Sequence, residues 1–469
     1  MIRGAIRRVH FVGIGGTGMC GLAEILLSLR YNVTGSDLVA TSEAAQRLIS
    51  IGARVFEGHA SENTTGADLL VVSTAIRDDN PEVRAAQRAG IPILRRGQML
   101  AEIMRLKYGV AVAGSHGKTT TTSLIGHVLS RAGMDPTLVV GGRLRSIDSH
   151  ARVGKGDVFV AEADESDGSF LEILPTVAVV TNIDREHLEH YRNMDAIKAA
   201  FEHFVSSVPF YGTAILCADD PRVREILPQI NRPTILYGFA PDSKVRAEKR
   251  RSEGQCSRFQ LWVGDVALGE FRVPLPGEHN VQNALAAIAV SVFLGVDPEK
   301  IRDALEGFEG VGRRFEVRKQ VGGVLHVDDY GHHPTEIRAV LKAAREVYGL
   351  RRLVVLFQPH RYTRTVALHN EFAGSFTDAD LLILTDIYAA GEMPMAGVTG
   401  GVLQGPITSA SQIEVVYAPT KEQAVQAVCE RLEPEDVLLT LGAGPVWQWG
   451  DAAMERLQER HRRPQGCSV

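Results

Sequence analysis

Short apolar runs alternate with amphipathic helical patterns along almost the whole chain. Apolar runs of this length, bounded by polar or glycine residues, predict buried strands. They lie at 8–12, 69–73, 91–94, 108–113, 158–161, 177–181, 324–327, 353–357, 381–384 and 437–441. Helical patterns follow the first and fourth runs, at 17–29 and 119–131. Strands that alternate with helices predict an α/β fold built on mostly parallel sheets.

One segment breaks this alternation. Across 257–273 the apolar residues occur at every second position, as at Phe259, Leu261 and Val263, which predicts an antiparallel hairpin. A new series of strands and helices starts near Gly312. We therefore expect three domains, at 1–106, 107–312 and 313–469, in line with a length of 469 residues.

Composition narrows the class of protein. Hydrophobic residues make up 45% and charged residues 23% of the chain, which is ordinary for a globular protein. The net charge of −5 and the absence of a long basic block argue against nucleic acid as a partner. Five scattered cysteines predict neither a disulfide framework nor a zinc site, and they fit a reducing cytoplasm. No apolar run approaches membrane-spanning length, so we expect no membrane insertion.

The first glycine-rich loop has two functional interpretations. Gly13, Gly15 and Gly18 form a GxGxxG pattern between a strand and a helix, and Asp37 follows about 20 residues later. The pattern is typical of dinucleotide binding, but the same physics suits any nucleotide diphosphate, including a UDP-sugar. A tight turn without a ligand is the third reading, and Asp37 can equally be a turn residue.

The second glycine-rich loop gives the stronger signal. Residues 114–120 (GSHGKTT) follow a buried strand and open a helix. Backbone N–H groups there can cradle phosphates, Lys118 can reach the β and γ oxygens, and the Thr119 hydroxyl can bind Mg²⁺. The spacing GxxGKT is shorter than the usual phosphate loop. The alternative, a polar helix start, explains the Gly-Lys-Thr-Thr run less well.

Acidic residues follow the neighbouring strands. Residues 162–167 (EADESD) end one strand and 182–187 (NIDREH) end the next. Carboxylates at a strand end are what Mg²⁺ requires, although four acids so close together cannot all be ligands. His187 is either a satisfied polar residue or a ligand.

With these motifs in chain order, the sequence resembles the Mur ligase family, whose members form amide bonds in peptidoglycan synthesis at the expense of ATP. The likeness is strongest to the members that add L-alanine. It rests on 13–19 (GIGGTGM), 114–122 (GSHGKTTTT), 162–170 (EADESDGSF), 181–184 with His187, 277–284 (GEHNVQNA), 312–316 (GRRFE), 328–336 (DDYGHHPTE) and 357–365 (FQPHRYTRT). The one small departure is Ser115, where threonine is common.

The resemblance implies a Rossmann-like N-terminal domain for the UDP-sugar, a central phosphate-loop ATPase domain, and a Rossmann-like C-terminal domain that closes on ATP and binds the amino acid. It implies ligation of L-alanine to UDP-N-acetylmuramate through an acyl phosphate, with ATP and two Mg²⁺ ions, by a cytoplasmic monomer or homodimer. For the first glycine-rich loop, the resemblance implies binding of the UDP-sugar diphosphate and no use of a nicotinamide cofactor.

The resemblance also implies residue roles. The UDP-sugar would contact Gly13, Gly15, Gly16, Thr17, Gly18, Asp37 and Ser73. ATP would contact Gly114, Ser115, His116, Gly117, Lys118, Thr119, Thr120, Asn280, Asn283, Arg314 and Asp329. Thr119 and Glu162 would hold one metal, and Glu162 and His187 the other. Tyr330 and His332 would line the amino-acid pocket, and the catalytic set would be Lys118, Glu162, His187, His332, Arg361 and Arg364.

Some of these residues could instead have purely structural roles. Asn280 and Asn283 could simply be polar residues at a helix start, and Arg361 and Arg364 could form inter-domain ion pairs. Glu202 falls where several relatives carry a carbamylated lysine, and its carboxylate could serve the second metal, or it could be a surface residue. The rival functions are a ligase for another amino acid or peptide, a dehydrogenase and a non-catalytic nucleotide-binding regulator.

Overall fold

The computed structural model describes residues 6–73, 75–144 and 149–462. It contains three sheets that follow one another along the chain. By internal packing the chain divides into two compact units. The first comprises residues 1–248, 260–271 and 282–309, and the second comprises 249–259, 272–281 and 310–469.

The first sheet has five strands, and each neighbouring pair runs parallel. The strands are β1 (Arg8–Val12), β2 (Asn32–Asp37), β3 (Arg54–Glu57), β4 (Leu69–Val72) and β5 (Ile93–Arg95). The helices are α1 (Thr17–Ser28), α2 (Glu43–Ser50), α3 (Pro81–Ala89) and α4 (Arg96–Met104). The strand order is β3-β2-β1-β4-β5. The order reverses between β1 and β4, where open α/β sheets form a ligand crevice.

The second sheet has ten strands in the order β15-β14-β13-β12-β11-β10-β6-β9-β7-β8. They are β6 (Tyr108–Ala113), β7 (Thr137–Leu144), β8 (Ser149–Arg152), β9 (Val158–Glu162), β10 (Val177–Val180), β11 (Thr213–Cys217), β12 (Thr234–Gly238), β13 (Val245–Glu253), β14 (Cys256–Val263) and β15 (Val266–Val273). The helices are α5 (Lys118–Arg131), α6 (Leu188–Tyr191), α7 (Met194–Ser206), α8 (Pro221–Ile226), α9 (Glu278–Phe293) and α10 (Pro298–Glu306).

The position of β6 in this sheet determines which loops meet at one of its edges. It pairs in parallel with β10 on one side and with β9 on the other. The loops that leave the carboxyl ends of these three strands therefore meet at one edge of the sheet. These are the glycine loop at 114–117, the acidic run at 162–167 and the segment at 181–187.

The third sheet has six strands in the order β16-β17-β21-β18-β19-β20, with only the β16–β17 pair antiparallel. The strands are β16 (Glu316–Val321), β17 (Val324–Asp329), β18 (Leu353–Phe357), β19 (Leu381–Leu384), β20 (Glu414–Tyr417) and β21 (Val437–Leu441). The helices are α11 (Pro334–Tyr348), α12 (Tyr362–Ala367), α13 (His369–Ala373), α14 (Gln404–Ser411), α15 (Lys421–Arg431) and α16 (Val446–Arg462).

Strand β18, in the middle of this sheet, is apolar at every position because both of its faces are covered. Val355 and Phe357 pack into one buried cluster, while Val354 and Leu356 pack into another on the opposite face. Parallel strands with helices on both sides show such continuous apolar runs. This explains why the sequence displays them as uninterrupted blocks. In the described part of the chain, no helix is both long enough and apolar enough to cross a membrane.

Candidate active site

The glycine loop between β6 and α5 has a backbone that only glycine tolerates at two positions. Gly114 has φ +130° and Gly117 has φ +79°. A Cβ at Gly114 would collide with the Thr181 hydroxyl, and one at Gly117 would meet the Asn283 side-chain oxygen. The loop therefore packs closely against the end of β10 and against α9.

The segment after β10 holds this loop in place through a set of hydrogen bonds. Asn182 Oδ1 accepts from the His116 N–H at 2.8 Å, and the Asn182 carbonyl accepts from the Ser115 N–H at 3.1 Å. The Thr181 hydroxyl donates to the His116 carbonyl at 2.6 Å. Asp184 Oδ2 lies 3.0 Å from His116 Nε2, and the Asp184 N–H donates to Ser115 Oγ at 2.8 Å. The loop is thus held rigidly in one conformation.

Lys118 lies at the first position of α5 and is almost buried. Its ammonium donates to the carbonyl of Gly114 at 2.7 Å and to Glu165 Oε1 at 2.9 Å. Burial alone would lower the pKa of Lys118, but nearby carboxylates, foremost Glu165, raise it above its ordinary value. Burial raises the pKa of Glu165 to about 7, against the opposing charge of Lys118. The lysine is therefore held as a cation over the loop that would receive phosphates.

A hydroxyl and a carboxylate meet beside this lysine. Thr119 Oγ1 donates to Glu162 Oε2 at 2.9 Å, and the Gly141 N–H donates to the same oxygen at 2.8 Å. Thr119 stands at the start of α5 and Glu162 at the end of β9. A threonine hydroxyl next to a carboxylate is a donor set that suits Mg²⁺.

A second group of oxygen and nitrogen ligands lies around His187. Its Nε2 is 3.8 Å from Glu165 Oε1 and 3.6 Å from Glu186 Oε2. One ligand atom from each of the three residues lies within 4.8 Å of the others, so the group could hold a divalent cation. The family resemblance pairs His187 with Glu162 at the second metal, which stays a prediction, and the carboxylates that the described contacts place next to the His187 ring are those of Glu165 and Glu186. Glu202 is half-buried on α7.

Glu165 and Glu186 are the site residues that sequence reasoning passed over. Glu165 belongs to an acidic run in which four carboxylates fall within six residues, and no pattern distinguishes one acid from another. Its 2% exposure and its contact with Lys118 distinguish it in the structure. The available signal was chemical: a buried lysine requires a partner.

The first glycine loop is closed by β2. The N–H groups of Gly13 and Ile14 donate to the carbonyl of Ser36 at 2.8 and 3.0 Å, and the Gly15 N–H donates to Asp37 Oδ2 at 2.8 Å. Gly16 is the residue that caps α1, and Gly13 takes φ +80°. Asp37 thus binds the loop itself.

Two further residues predicted for this loop have definite places. Ser73 follows β4 and lies beside Gly13, where a Cβ on the glycine would come within 3.4 Å of the serine Cβ. Gly18 lies in the first turn of α1 against the Arg96 side chain. The backbone of Thr17 starts α1, and its side chain lies outside the described residues.

The two asparagines of α9 make different contacts. Asn283 Oδ1 accepts from Thr121 Oγ1 at 3.1 Å, which brings this residue to the phosphate loop. Asn280 Nδ2 donates to the Pro276 carbonyl at 2.7 Å, a contact at the start of its own helix. Thr120 is buried in α5.

In the second unit, Asp329 ends β17 in a buried position. Its carboxylate accepts from the Phe315 N–H at 2.8 Å and from the Gly331 N–H at 2.7 Å. Burial raises its pKa to about 6, against the opposing charge of Arg314. The Arg314 guanidinium lies 5.0 Å from the centre of the Tyr330 ring. The loop after β17 thus gathers three of the predicted side chains.

The other predicted side chains of this unit meet around His360. The ring of His332 lies 5.1 Å from the His360 ring, and Arg364 Nη1 lies 2.9 Å from His360 Nδ1. Arg361 precedes α12 with φ +68°, a conformation that is costly for a non-glycine residue. The structure therefore places His332, from the loop after β17, and Arg364, from α12, against the same residue, His360.

Comparison with known proteins identifies the family. Three family models match in succession: "Mur ligase family, catalytic domain" at residues 8–108, "Mur ligase middle domain" at 112–291 and "Mur ligase, glutamate ligase domain" at 313–444. A UDP-N-acetylmuramate–L-alanine ligase from Solibacter usitatus is 54% identical over 96% of both chains. The chain belongs to the Mur ligase family. Mur ligases are ATP-dependent, so the predicted use of ATP is confirmed.

Further relatives agree with this result. An enzyme of the same name from a Geobacter species is 50% identical to this Mur ligase over 97% of its chain and 98% of the relative's. The crystal structure of the UDP-N-acetylmuramate–alanine ligase of Thermotoga maritima is 30% identical, with a TM-score of 0.78. It covers 97% of this chain and 99% of its own. The predicted three-domain α/β architecture is confirmed.

Proposed function

We propose that this Mur ligase joins L-alanine to the carboxylate of UDP-N-acetylmuramate, with conversion of ATP to ADP and phosphate. The relatives of 50–54% identity that carry this name support the choice of substrates. The observation that carries the chemistry is Lys118, a buried cation above a glycine loop whose neighbours Thr119 and Glu162 form a hydroxyl–carboxylate pair. A dehydrogenase would leave these three residues without a role.

The reaction needs the sugar carboxylate to be activated, because a free carboxylate does not acylate an amine at neutral pH. Transfer of the ATP γ-phosphoryl group to that carboxylate gives an acyl phosphate. The alanine amine then attacks the carbonyl carbon, phosphate leaves, and the amine loses a proton. Phosphoryl transfer depends mainly on positioning and on neutralising charge.

The residues of the first unit divide this work. The first N–H groups of α5, which have no acceptor within the helix, would cradle the phosphates, and Lys118 would exchange its contact with Glu165 for phosphate oxygens. When bound, Mg²⁺ supplies additional positive charge beside the phosphates. Thr119 and Glu162 would hold one ion, and His187 with Glu165 and Glu186 would hold a second. The donor sets fit the cation because they offer hard oxygen ligands.

The residues of the second unit suit the amino acid and the transferred group. Arg361 and Arg364 carry forked guanidinium groups that can bind a carboxylate or phosphate at two points. Tyr330 and His332 would line the alanine pocket. Asn280, Arg314 and Asp329 are proposed to contact ATP, and the first glycine loop is proposed to bind the UDP diphosphate. We place the enzyme in the cytoplasm, as a monomer or homodimer.

The deciding experiment is phosphate release from ATP by the purified protein, with UDP-N-acetylmuramate and L-alanine, glycine, L-serine or D-glutamate in turn. We expect turnover with L-alanine that requires the sugar nucleotide, and loss of turnover in Lys118→Ala with the fold retained. Turnover with another amino acid but not with L-alanine would overturn the substrate. Unchanged alanine-dependent phosphate release in Lys118→Ala would overturn the role of the loop.

A further inference from the structure

A carboxylate lies fully buried in the first domain, and the mechanism above does not use it. Glu82 is 0% exposed in the first turn of α3, and its carboxylate lies against Ser36 of β2 and near His10 of β1. No lysine or arginine pairs with it among the described contacts. A buried carboxylate without such a partner persists only when hydrogen bonds satisfy it.

Those hydrogen bonds come from β2 and from the segment that contains Ala60 and Asn63. The Ser36 hydroxyl and Asn63 Nδ2 each donate to Glu82 at 2.6 Å, and the Ala60 N–H donates at 3.3 Å. His59 Nδ1 lies 2.9 Å from Ser36 Oγ. His10 Nε2 lies 3.7 Å away, beyond hydrogen-bond range, so its influence on Glu82 is electrostatic. Burial would raise the pKa of Glu82, but these neighbours lower it to about 2.

Ser36 connects this network to the first glycine loop. Its side chain points at Glu82, while its carbonyl accepts the N–H groups of Gly13 and Ile14. The next residue, Asp37, accepts the N–H of Gly15. The end of β2 therefore orients three consecutive amides of the loop. The bond from the Ser36 hydroxyl to Glu82 constrains this strand end in addition to its pairing with β1 and β3.

We propose that Glu82 is a positioning residue for the UDP-sugar site, which acts through Ser36 on the amides of the glycine loop. The inference rests on the proposed function of that loop as the diphosphate cradle. Glu82 and Ser36 are both fully buried, so neither side chain touches the ligand. Their effect on binding is transmitted by the backbone of β2.

Asn63 provides a matched control. It donates to the same carboxylate at the same distance as Ser36, but it lies in a 3-10 turn at Ser61–Thr64 rather than on β2. Ser36→Ala removes the donor to Glu82 Oε2, near which His59 Nδ1 also lies at 3.4 Å, and Asn63→Ala removes the closer donor to Oε1. A general loss of stability should thus follow from both changes, whereas only Ser36 is connected to the glycine loop.

The test is calorimetric titration of the full-length protein with UDP, and separately with ATP, beside thermal unfolding. We expect Glu82→Gln and Ser36→Ala to raise the Kd for UDP about tenfold, the loss of roughly one buried hydrogen bond to a charged group. The Kd for ATP and the kcat at saturating UDP-sugar should stay unchanged. Asn63→Ala should lower the melting temperature as much as Ser36→Ala does and leave the Kd for UDP unchanged.

The other outcomes are also decisive. If Ser36→Ala and Asn63→Ala give the same Kd for UDP, the positioning role is refuted, even if Glu82→Gln fails to fold. The double variant Glu82→Gln, Ser36→Ala gives a further test. If its fold-change in Kd for UDP equals the product of the fold-changes of the two single variants, the two residues act independently, and the positioning role is refuted. Asp37→Ala tests the underlying assignment. If it leaves UDP binding intact, the loop is not the diphosphate site and the proposed function fails at that point.

Discussion

Replacing Lys118 with methionine tests the buried pair of the phosphate loop. The ammonium and the Glu165 carboxylate lie 2.8 Å apart, with side-chain exposures of 13% and 3%. Removing one partner of such a pair costs about 3–5 kcal/mol when the other stays charged. Glu165 can instead become neutral by binding a proton, because its pKa of about 7 rises further when the Lys118 ammonium is lost. At pH 6 it binds a proton, and we expect a loss of only about 2 kcal/mol from missing hydrogen bonds.

Because Glu165 can bind a proton, the loss of stability in Lys118→Met depends on pH. A carboxyl whose pKa is raised in the folded state holds its proton more tightly when folded, so its contribution to stability falls as pH rises toward that pKa. The destabilisation by Lys118→Met should therefore grow from pH 6 to pH 9. The double variant Lys118→Met, Glu165→Gln carries no buried charge. It should recover most of the stability and show a nearly flat pH profile.

Urea unfolding followed by circular dichroism at pH 6, 7.5 and 9 measures these free energies, and phosphate release measures activity. Both variants should lose about three orders of magnitude in kcat, as expected when a donor to developing charge is removed. Additive stability losses in the double variant, or a penalty for Lys118→Met that does not change with pH, would refute the coupling between the two residues.

Three further predictions follow from the same structure. Gly114→Ala should abolish ATP turnover, measured as phosphate release, because the new Cβ meets Thr181 and the backbone has φ +130°. The control Gly374→Ala, where a Cβ has open space around it, should leave phosphate release unchanged. Glu162→Gln should raise the Mg²⁺ concentration for half-maximal turnover at least tenfold, measured by Mg²⁺ titration, and an unchanged requirement would remove this residue from the metal site. Glu82, with a pKa of about 2 against an ordinary 4.5, contributes about 3 kcal/mol of stability above pH 4.5 that is lost as pH falls toward 2. Acid unfolding of Glu82→Gln should therefore be flatter than that of the unchanged protein over this range.

Most of the parallel strands could be predicted from the sequence, because a strand buried on both faces leaves an unbroken apolar run. The strands β1, β6 and β18 begin and end where the runs do. The antiparallel edge strand β16 could not be predicted in this way. It carries Glu316, Arg318 and Lys319, and its half-buried positions leave no clear hydrophobic pattern. Edge strands of this kind are defined by their partner rather than by their own sequence.

The site was predictable where backbone geometry demands particular residues. The glycines of the phosphate loop and the lysine that follows them have no substitutes, so their spacing is visible in the sequence. The choice between Glu162 and Glu165 as the partner of Lys118 was not visible. It depends on how the chain turns after β9, where Glu162 faces Thr119 and Glu165 faces Lys118. That turn is a property of the packed sheet.

The outer strand β15 has a consequence for how copies of this protein behave in a crowded solution. It ends the order of the ten-stranded sheet, so among the residues that the structure describes one of its sides has no neighbouring strand. An open strand edge can recruit a foreign chain and start aggregation. Gly269 takes φ +83° in the middle of this strand, and Glu270 and Arg272 follow it. The kink and the charges interrupt the flat ladder that an incoming strand would need, and the Arg302 guanidinium already occupies the Leu268 carbonyl, so this edge resists fibre growth.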